Sequence, residues 1–324
     1  MNQSHPPLVS IIVITYNSAK YVLETLESAK AQTYQNIELI ITDDCSADNT
    51  VEICLKWLEE NKERFVRTEL ITLEKNTGIA PNCNRGLRVA KGEWVKYIAG
   101  DDILTKVCIS NFVNYAQKNP EAKFIFGAIV PFYNETIYKS LMPHKDVFSA
   151  TAKKQHKLLL QKGCFVPAAG NFMKRDVVGT LGGFDERFPM CEDYPFWLKV
   201  TGLNHKLHFF DFKCAMYRIH CESLTSSAYL NDDINPVFKR EIYEIRLLVI
   251  MPLFLKNKLY FHYLHYKMLN WRNSKKGSGL NRGLRYFSYL FDPLGIYIKL
   301  LNTLGLQYNY GYKLIIESDT SEKL

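Results

Sequence analysis

The chain has 324 residues, 47% apolar and 13% aromatic, enough for a sizeable core, which excludes an intrinsically disordered protein. The formal charge of +8 is unevenly placed: from Lys239 to Lys313 there are 13 Lys/Arg against three acids, so the basic character belongs to the tail and points it, rather than the body, at an anionic partner. No stretch reaches the roughly eighteen uninterrupted apolar residues of a membrane span, Met1 to Pro7 carry no export signal, and the eight cysteines form no Cys-x-x-Cys pair, so the sequence reads as cytoplasmic with reduced thiols.

In chain order, Val9-Ser10-Ile11-Ile12-Val13-Ile14 predicts a strand buried on both faces, broken by the turn residues Thr15-Tyr16-Asn17-Ser18. Helically spaced Tyr21, Val22, Leu26 and Ala29 predict a helix over 20–31, and Ile37-Glu38-Leu39-Ile40-Ile41 a second strand that ends in Thr42-Asp43-Asp44-Cys45-Ser46. A helix over 49–60 and a strand over 66–73 follow. Residues 76–86, with Gly78 and Gly86, read as a loop that enters a helix.

The run Trp94-Val95-Lys96-Tyr97-Ile98 predicts a buried strand, and Asp101-Asp102 stand just beyond its end. Strands alternating with helices predict an α/β fold with a mostly parallel, doubly wound sheet, whose ligands bind at the carboxyl ends of the strands. Three such ends carry polar clusters: Tyr16-Asn17, Asp43-Asp44 and Asp101-Asp102. The last pair has two readings. It holds a hard cation, Mn²⁺ or Mg²⁺, together with substrate phosphates, or it caps a helix opened by Ile103-Leu104-Thr105-Lys106. Neither Gly-x-Gly-x-x-Gly nor Gly-Lys-Ser/Thr occurs, which disfavours a dinucleotide enzyme or a P-loop NTPase.

Further on, a helical segment from 111 and the apolar run 124–130 predict a helix and a strand, and polar residues 131–153 a surface connection. Residues 163–173 are expected to re-enter the site, the small Ala168, Ala169 and Gly170 letting backbone approach a ligand. Asp193 stands at the start of a helix with apolar Phe196, Trp197 and Val200, where Asp is a good N-cap. Residues 239–269 are helical in pattern, aromatic and basic; 273–279 form a flexible break, and 284–306 suit a pair of interfacial helices.

The Val9-to-Asn17 opening, Gln32-Thr33-Tyr34 with Asp43-Asp44-Cys45-Ser46, Asn76-x-Gly78 with Asn84-x-Gly86, and Asp101-Asp102 occur in an order that resembles the nucleotide-diphospho-sugar glycosyltransferases of family 2, with the GT-A fold. Gly182-Gly183-Phe184-Asp185, Glu192-Asp193 and Tyr217-Arg218-Ile219-His220 extend the likeness to about Thr225. The resemblance implies a catalytic domain over 1–230 and fades beyond it, where the aromatic, basic pattern of 231–324 predicts a helical extension that contacts a membrane surface or a second copy. It implies an inverting transfer with Asp193 as base, a UDP- or dTDP-linked sugar as donor, and a glycan or lipid-linked glycan as acceptor. No nucleic-acid partner is implied.

By the same likeness Thr15, Tyr16, Asp44, Asn84, Arg85 and Asp101 line the nucleotide, Tyr16 against the base and Asp44 on its imide N–H, while Asp102 and His220 serve the metal. Asp43 is expected in a turn. A bacterial surface-polysaccharide pathway, with the enzyme cytoplasmic or on the inner face of the membrane, is the implied setting; no Gln-x-x-Arg-Trp signature of processive synthases is present. Two departures stand out: Cys83 where the family often has Arg, and Ala99 where a further acid often precedes the Asp pair. Two alternatives are weighed, a sugar nucleotidyltransferase, for which the first strand lacks a Gly-rich basic loop, and a non-catalytic nucleotide-sugar or glycan binding module.

Overall fold

The structure is a computed structural model that describes residues 6–138, 140, 145–221, 236–274 and 292–303. Strands β1 (Val9–Thr15), β2 (Ile37–Asp43), β3 (Arg67–Ile71) and β4 (Trp94–Ala99) form its parallel half, with Ile12 opposite both Ile40 and Tyr97. Added to these are β5 (Ile103–Leu104), β6 (Phe124–Tyr133), β7 (Thr136–Ile137), β8 (Asn171–Lys174) and β9 (Leu207–Arg218). The order is β3-β2-β1-β4-β8-β6-β9-β5, β7 pairing with β6; β8 and β5 run antiparallel to their neighbours.

The alternation within β1 divides the core. Val9, Ile11 and Val13 pack with α1 (Val22–Lys30), α2 (Thr50–Asn61) and α4 (Cys108–Lys118) on one face of the sheet. Ile12 and Ile40 pack with α3 (Ile79–Val89), α6 (Ala152–Lys162), α7 (Arg175–Thr180) and α8 (Asp193–Gly202) on the other. A two-residue side-chain period makes this separation unavoidable once both faces are covered. Short α5 (Lys145–Ser149) lies between β7 and α6.

The C-terminal segment joins the second core rather than standing apart. Helix α9 (Pro236–Ile245) continues through a π-turn (Arg246–Ile250) into α10 (Met251–Lys256), then α11 (Tyr260–Ser274) and α12 (Pro293–Thr303) follow. The π-turn precedes Pro252, whose ring and missing N–H are incompatible with regular α-helix four residues back. Ile245, Ile250, Phe254 and Leu259 are buried with Phe196 and Trp197 of α8.

Several expectations are corrected. Residues 79–86 are already helix, so Asn82, Asn84, Arg85 and Gly86 lie on α3 and not in a loop. Asp101-Asp102 do not cap a helix: β5 follows them, pairing with β9, and α4 starts only at Cys108. The 131–153 stretch is not purely surface, since Phe132, Val147 and Phe148 are buried. The expected 239–269 helix is broken at Lys258, whose φ of +57° is left-handed. The boundary at 230 and the break at 275–279 lie outside the described residues.

Candidate active site

The ends of β1 and β2 are laced together. Asn17 and Cys45 adopt left-handed φ values of +50° and +68°, turning the chain sharply after each strand. The Asn17 N–H donates to Ser46 Oγ at 2.7 Å, and the Ala47 N–H donates to Asn17 Oδ1 at 2.8 Å. Asp43 is buried and accepts from the Thr15 and Ser46 hydroxyls and from the Ser46 N–H, the turn role expected of it. Thr15 is therefore spent on Asp43, while Tyr16 is 53% exposed and open to solvent.

Asp44, 2% exposed, is the centre of a denser network. It accepts from the Thr77 N–H (2.9 Å), the Thr77 hydroxyl (2.8 Å), the Gly78 N–H (2.6 Å) and Arg85 Nη2 (2.5 Å). A carboxylate offers about four acceptor positions, so a further N–H donor at Asp44 takes the place of one of these. Arg85 also donates to Asn82 Oδ1 and the Thr77 hydroxyl. Gly78, at φ +100°, packs against Pro189, and the Ala80 N–H donates to the Pro189 carbonyl at 3.0 Å. The network around Asp44 is thus pinned to the loop that enters α8.

Asn84 faces elsewhere. Its Oδ1 accepts the Phe184 N–H at 2.9 Å, and its Nδ2 donates to the Phe184 carbonyl and to Glu186 Oε1, each at 2.9 Å. A Cβ on Gly183, at φ +68°, would collide with Asn84 Oδ1, so that glycine is there for the amide. The expected nucleotide contact is in this geometry a tether for the 182–184 turn.

Beyond β4, Asp101 Oδ2 lies 2.9 Å from His220 Nε2, and Asp102 Oδ1 accepts the Arg218 N–H at 2.9 Å. Arg218 is locked with its guanidinium 4.5 Å from the ring centroids of Tyr21 and Phe132, donating to the Asp101 carbonyl and Glu24. Burial, reinforced by the Asp101 charge, pushes Asp102 well above the usual carboxylate range against the pull of the Arg218 N–H, Lys96 and Arg218 charges. Among the described residues no three His, Cys, Asp or Glu side chains form a complete metal cage. Desolvated carboxylate charge at one point nevertheless fits a hard divalent ion, which commonly takes one or two carboxylates and fills its other positions with phosphate and water.

Asp193 opens α8, and Glu192, not Asp193, is its N-cap residue. Asp193 Oδ1 accepts the Tyr194 N–H at 2.6 Å and lies 3.9 Å from Cys191 Sγ; Oδ2 lies 3.6 Å from Cys164 Sγ. Burial raises the Asp193 pKa above the ordinary carboxylate value, with those donors pulling it back. Glu192 is pushed up to about 8 by burial and then by Asp193. From α9, the buried Glu241 carboxylate accepts the N–H groups of Met190 (2.9 Å) and Cys191 (2.7 Å), bracing the same loop. The 163–173 stretch does re-enter here through Cys164. Its small residues have another cause: a Cβ on Gly170 would stand 2.6 Å from the Gly127 carbonyl of β6.

Cys164, Thr77 and Glu241 carry no signal in the sequence, because their partners lie far along the chain, and Cys191, two residues from Asp193, stands at a spacing that marks no motif. A cavity of about 930 Å³ between the 182–187 turn, α8 and the C-terminal helices is lined by Pro195, Leu198, Lys199 and Lys256 and contains none of the expected site residues.

Residues 10–182 match the family model described as Glycosyl transferase family 2. A UDP-Glc:alpha-D-GlcNAc-diphosphoundecaprenol beta-1,3-glucosyltransferase, WfaP of Escherichia coli, is 29% identical over 224 residues, covering 68% of this chain and 81% of its own. An uncharacterized glycosyltransferase of Haemophilus influenzae is 28% identical over 246 residues, 72% of each chain. Among solved structures, S. aureus TarS 1-349 in complex with UDP-GlcNAc superposes with a TM-score of 0.59 at 18% identity, covering 90% of this chain and 81% of its own. The mannosyltransferase PcManGT from Pyrobaculum calidifontis, in complex with GDP-Man and Mn²⁺, gives a TM-score of 0.51 at 16% identity, covering 93% and 88%. The strand-end carboxylates, the curled mostly parallel sheet and the family match over more than half its length agree: the chain belongs to glycosyl transferase family 2 and is a glycosyltransferase of the GT-A fold.

Proposed function

We propose that the protein moves a single sugar, with inversion, from a UDP- or dTDP-linked donor to a hydroxyl of a glycan or lipid-linked glycan acceptor, in the synthesis of a bacterial surface polysaccharide. The observation that carries this reading is the path from Asp44 through Gly78 and Pro189 to the loop that delivers Asp193, which ties the carboxylate at the end of β2 to the start of α8. The UDP in the names of the E. coli relative and the S. aureus neighbour supports the donor class.

In this mechanism the exposed ring of Tyr16, beside Thr15, stacks on the base. Asp44 accepts the base imide N–H by releasing a donor of the Thr77-Gly78 turn, while Arg85 stays on its other oxygen. Asp101 lies toward the ribose. Asp102 and His220 are the residues that would hold Mn²⁺ or Mg²⁺, which when bound offsets charge developing on the leaving diphosphate. Asp193 takes the proton of the acceptor hydroxyl as that oxygen attacks the anomeric carbon, and one displacement inverts the centre. Burial suits Asp193 to this work, since a base nearer the operating pH is the better proton acceptor.

Exposed Leu248, Tyr260, Phe261 and Trp271 in the basic extension support a reading in which it contacts a membrane surface or a second copy; in the first case the enzyme is cytoplasmic and peripheral on the inner face of the membrane. Among the described residues no helix is long and apolar enough to cross a membrane.

The test is Asp193→Asn, which keeps size and removes the proton acceptor. Donor affinity by calorimetry should stay near wild type while transfer falls by a factor on the order of 10² or more. Transfer at the wild-type rate would rule Asp193 out as the base and turn attention to Glu192 and Asp185.

A further inference from the structure

We infer that Cys164 and Cys191 are positioning residues for the Asp193 carboxylate, each thiol holding one of its two oxygens in the orientation needed to receive the acceptor proton. The inference rests on the reading of Asp193 as base. Cys164 Sγ stands 3.6 Å from Oδ2, and Cys191 Sγ stands 3.9 Å from Oδ1, which also takes the Tyr194 N–H. The carboxylate is thereby held at both oxygens by groups from two segments, 29 residues apart for Cys164 and two apart for Cys191.

Each thiol is itself held. Cys164 Sγ lies 3.6 Å from the Val166 carbonyl, an alternative acceptor that fixes the position of the sulfur. Cys191 is buried, and its backbone N–H is gripped by Glu241 at 2.7 Å, so the position of its sulfur is set from α9 of the C-terminal extension. Burial first, and then the Asp193 charge, pushes both thiols well above their ordinary value. They therefore stay protonated at neutral pH and act as donors. A thiolate would repel the base, and a reactive nucleophile is not what this setting makes.

The surroundings explain why donors are needed. Glu192, the N-cap beside it, faces the group, with Glu241 from α9 and Cys83 from α3 facing Glu192 in turn, and Tyr194, Tyr266 and Arg246 beyond. Acids outnumber cations here, and burial already disfavours the ionised carboxylate that a base requires. Hydrogen bonds from the thiols and from the Tyr194 N–H oppose that trend. Truncating either cysteine to alanine removes its S–H donor and leaves burial less opposed, so Asp193 keeps its proton to higher pH and its carboxylate turns more freely.

The experiment compares Cys164→Ala, Cys191→Ala, Cys164→Ser and Cys191→Ser with wild type in donor affinity by calorimetry, in kcat across pH, and in thermal stability. For each Ala variant the expected result is unchanged donor affinity, kcat lowered at least about threefold because a thiol is a weak donor, and an acidic limb moved up by about half a pH unit. Each Ser variant, keeping an O–H donor, should recover rate and move the limb back. Ala variants with a wild-type pH profile, or Ser variants that fail as the Ala variants do, would overturn the inference and leave the cysteines as packing. Should Cys191→Ala not fold, half-buried Cys164 carries the comparison alone. The two readings are separable: if Asp193→Asn is inactive while the cysteine variants match wild type, only the positioning role falls; if Asp193→Asn is active, the base assignment falls first.

Discussion

Replacing Asn84 by Ala removes three hydrogen bonds, two of them to the backbone of Phe184 and one to Glu186. Glu186 is exposed and regains water, so its loss matters little. The N–H and carbonyl of Phe184 lie in a buried turn and lose their partner, and each unsatisfied group costs about 1–3 kcal/mol, so the variant should be less stable by about 3 kcal/mol. At about 2 °C per kcal/mol for a chain of this size, the Tm should fall by about 6 °C. Asn84→Asp should fare no better, since its carboxylate would face the Phe184 carbonyl and Glu186. Thermal unfolding followed by near-UV circular dichroism, with UDP affinity measured by calorimetry below the transition, separates tether from ligand. A wild-type Tm together with a large loss of UDP affinity would refute the tether and return Asn84 to the nucleotide.

Asp102→Ala should weaken the Mn²⁺-dependent part of UDP affinity, because it removes the buried carboxylate proposed to hold the ion; unchanged Mn²⁺-dependent binding sinks that assignment. Glu192, raised from 4.5 to about 8 by burial and Asp193, holds its proton more tightly folded than unfolded. Its stabilising contribution is therefore fully present below the unfolded value and lost as pH rises through the folded one, so Tm should decline from pH 4.5 to 8 and Glu192→Gln should flatten the decline; equal slopes in the two proteins contradict this. Basic residues near an anionic bilayer contribute roughly 1 kcal/mol each, falling with salt, so co-sedimentation with anionic liposomes is expected at low ionic strength. Absence of co-sedimentation there would assign the exposed Tyr260 and Phe261 to a protein contact.

What the sequence determined by itself is the set of elements whose signal is local. The apolar run of β1, the helical spacing in α1 and the strand ends at Asp44 and Asp101-Asp102 needed no knowledge of neighbours, because burial on both faces of a parallel sheet imposes an apolar run on the strand itself. The family motifs are local in the same sense. What the tertiary structure alone decided are the pairings. Asn84 sits one residue from Arg85 on α3, yet one amide faces the 182–184 turn and the other side chain faces Asp44, a difference set by helix rotation and by partners a hundred residues away for Asn84. Likewise β5 is too short to predict and exists because Ile103-Leu104 meet Ala215 and Met216 of β9. Cys164, Cys191 and Glu241 carry no motif; Glu241 reaches the loop before Asp193 because the extension shares a core with α8, and chain-distant hydrogen bonds such as those from Cys164 to Asp193 and from the Cys191 N–H to Glu241 leave no period in the residues that make them.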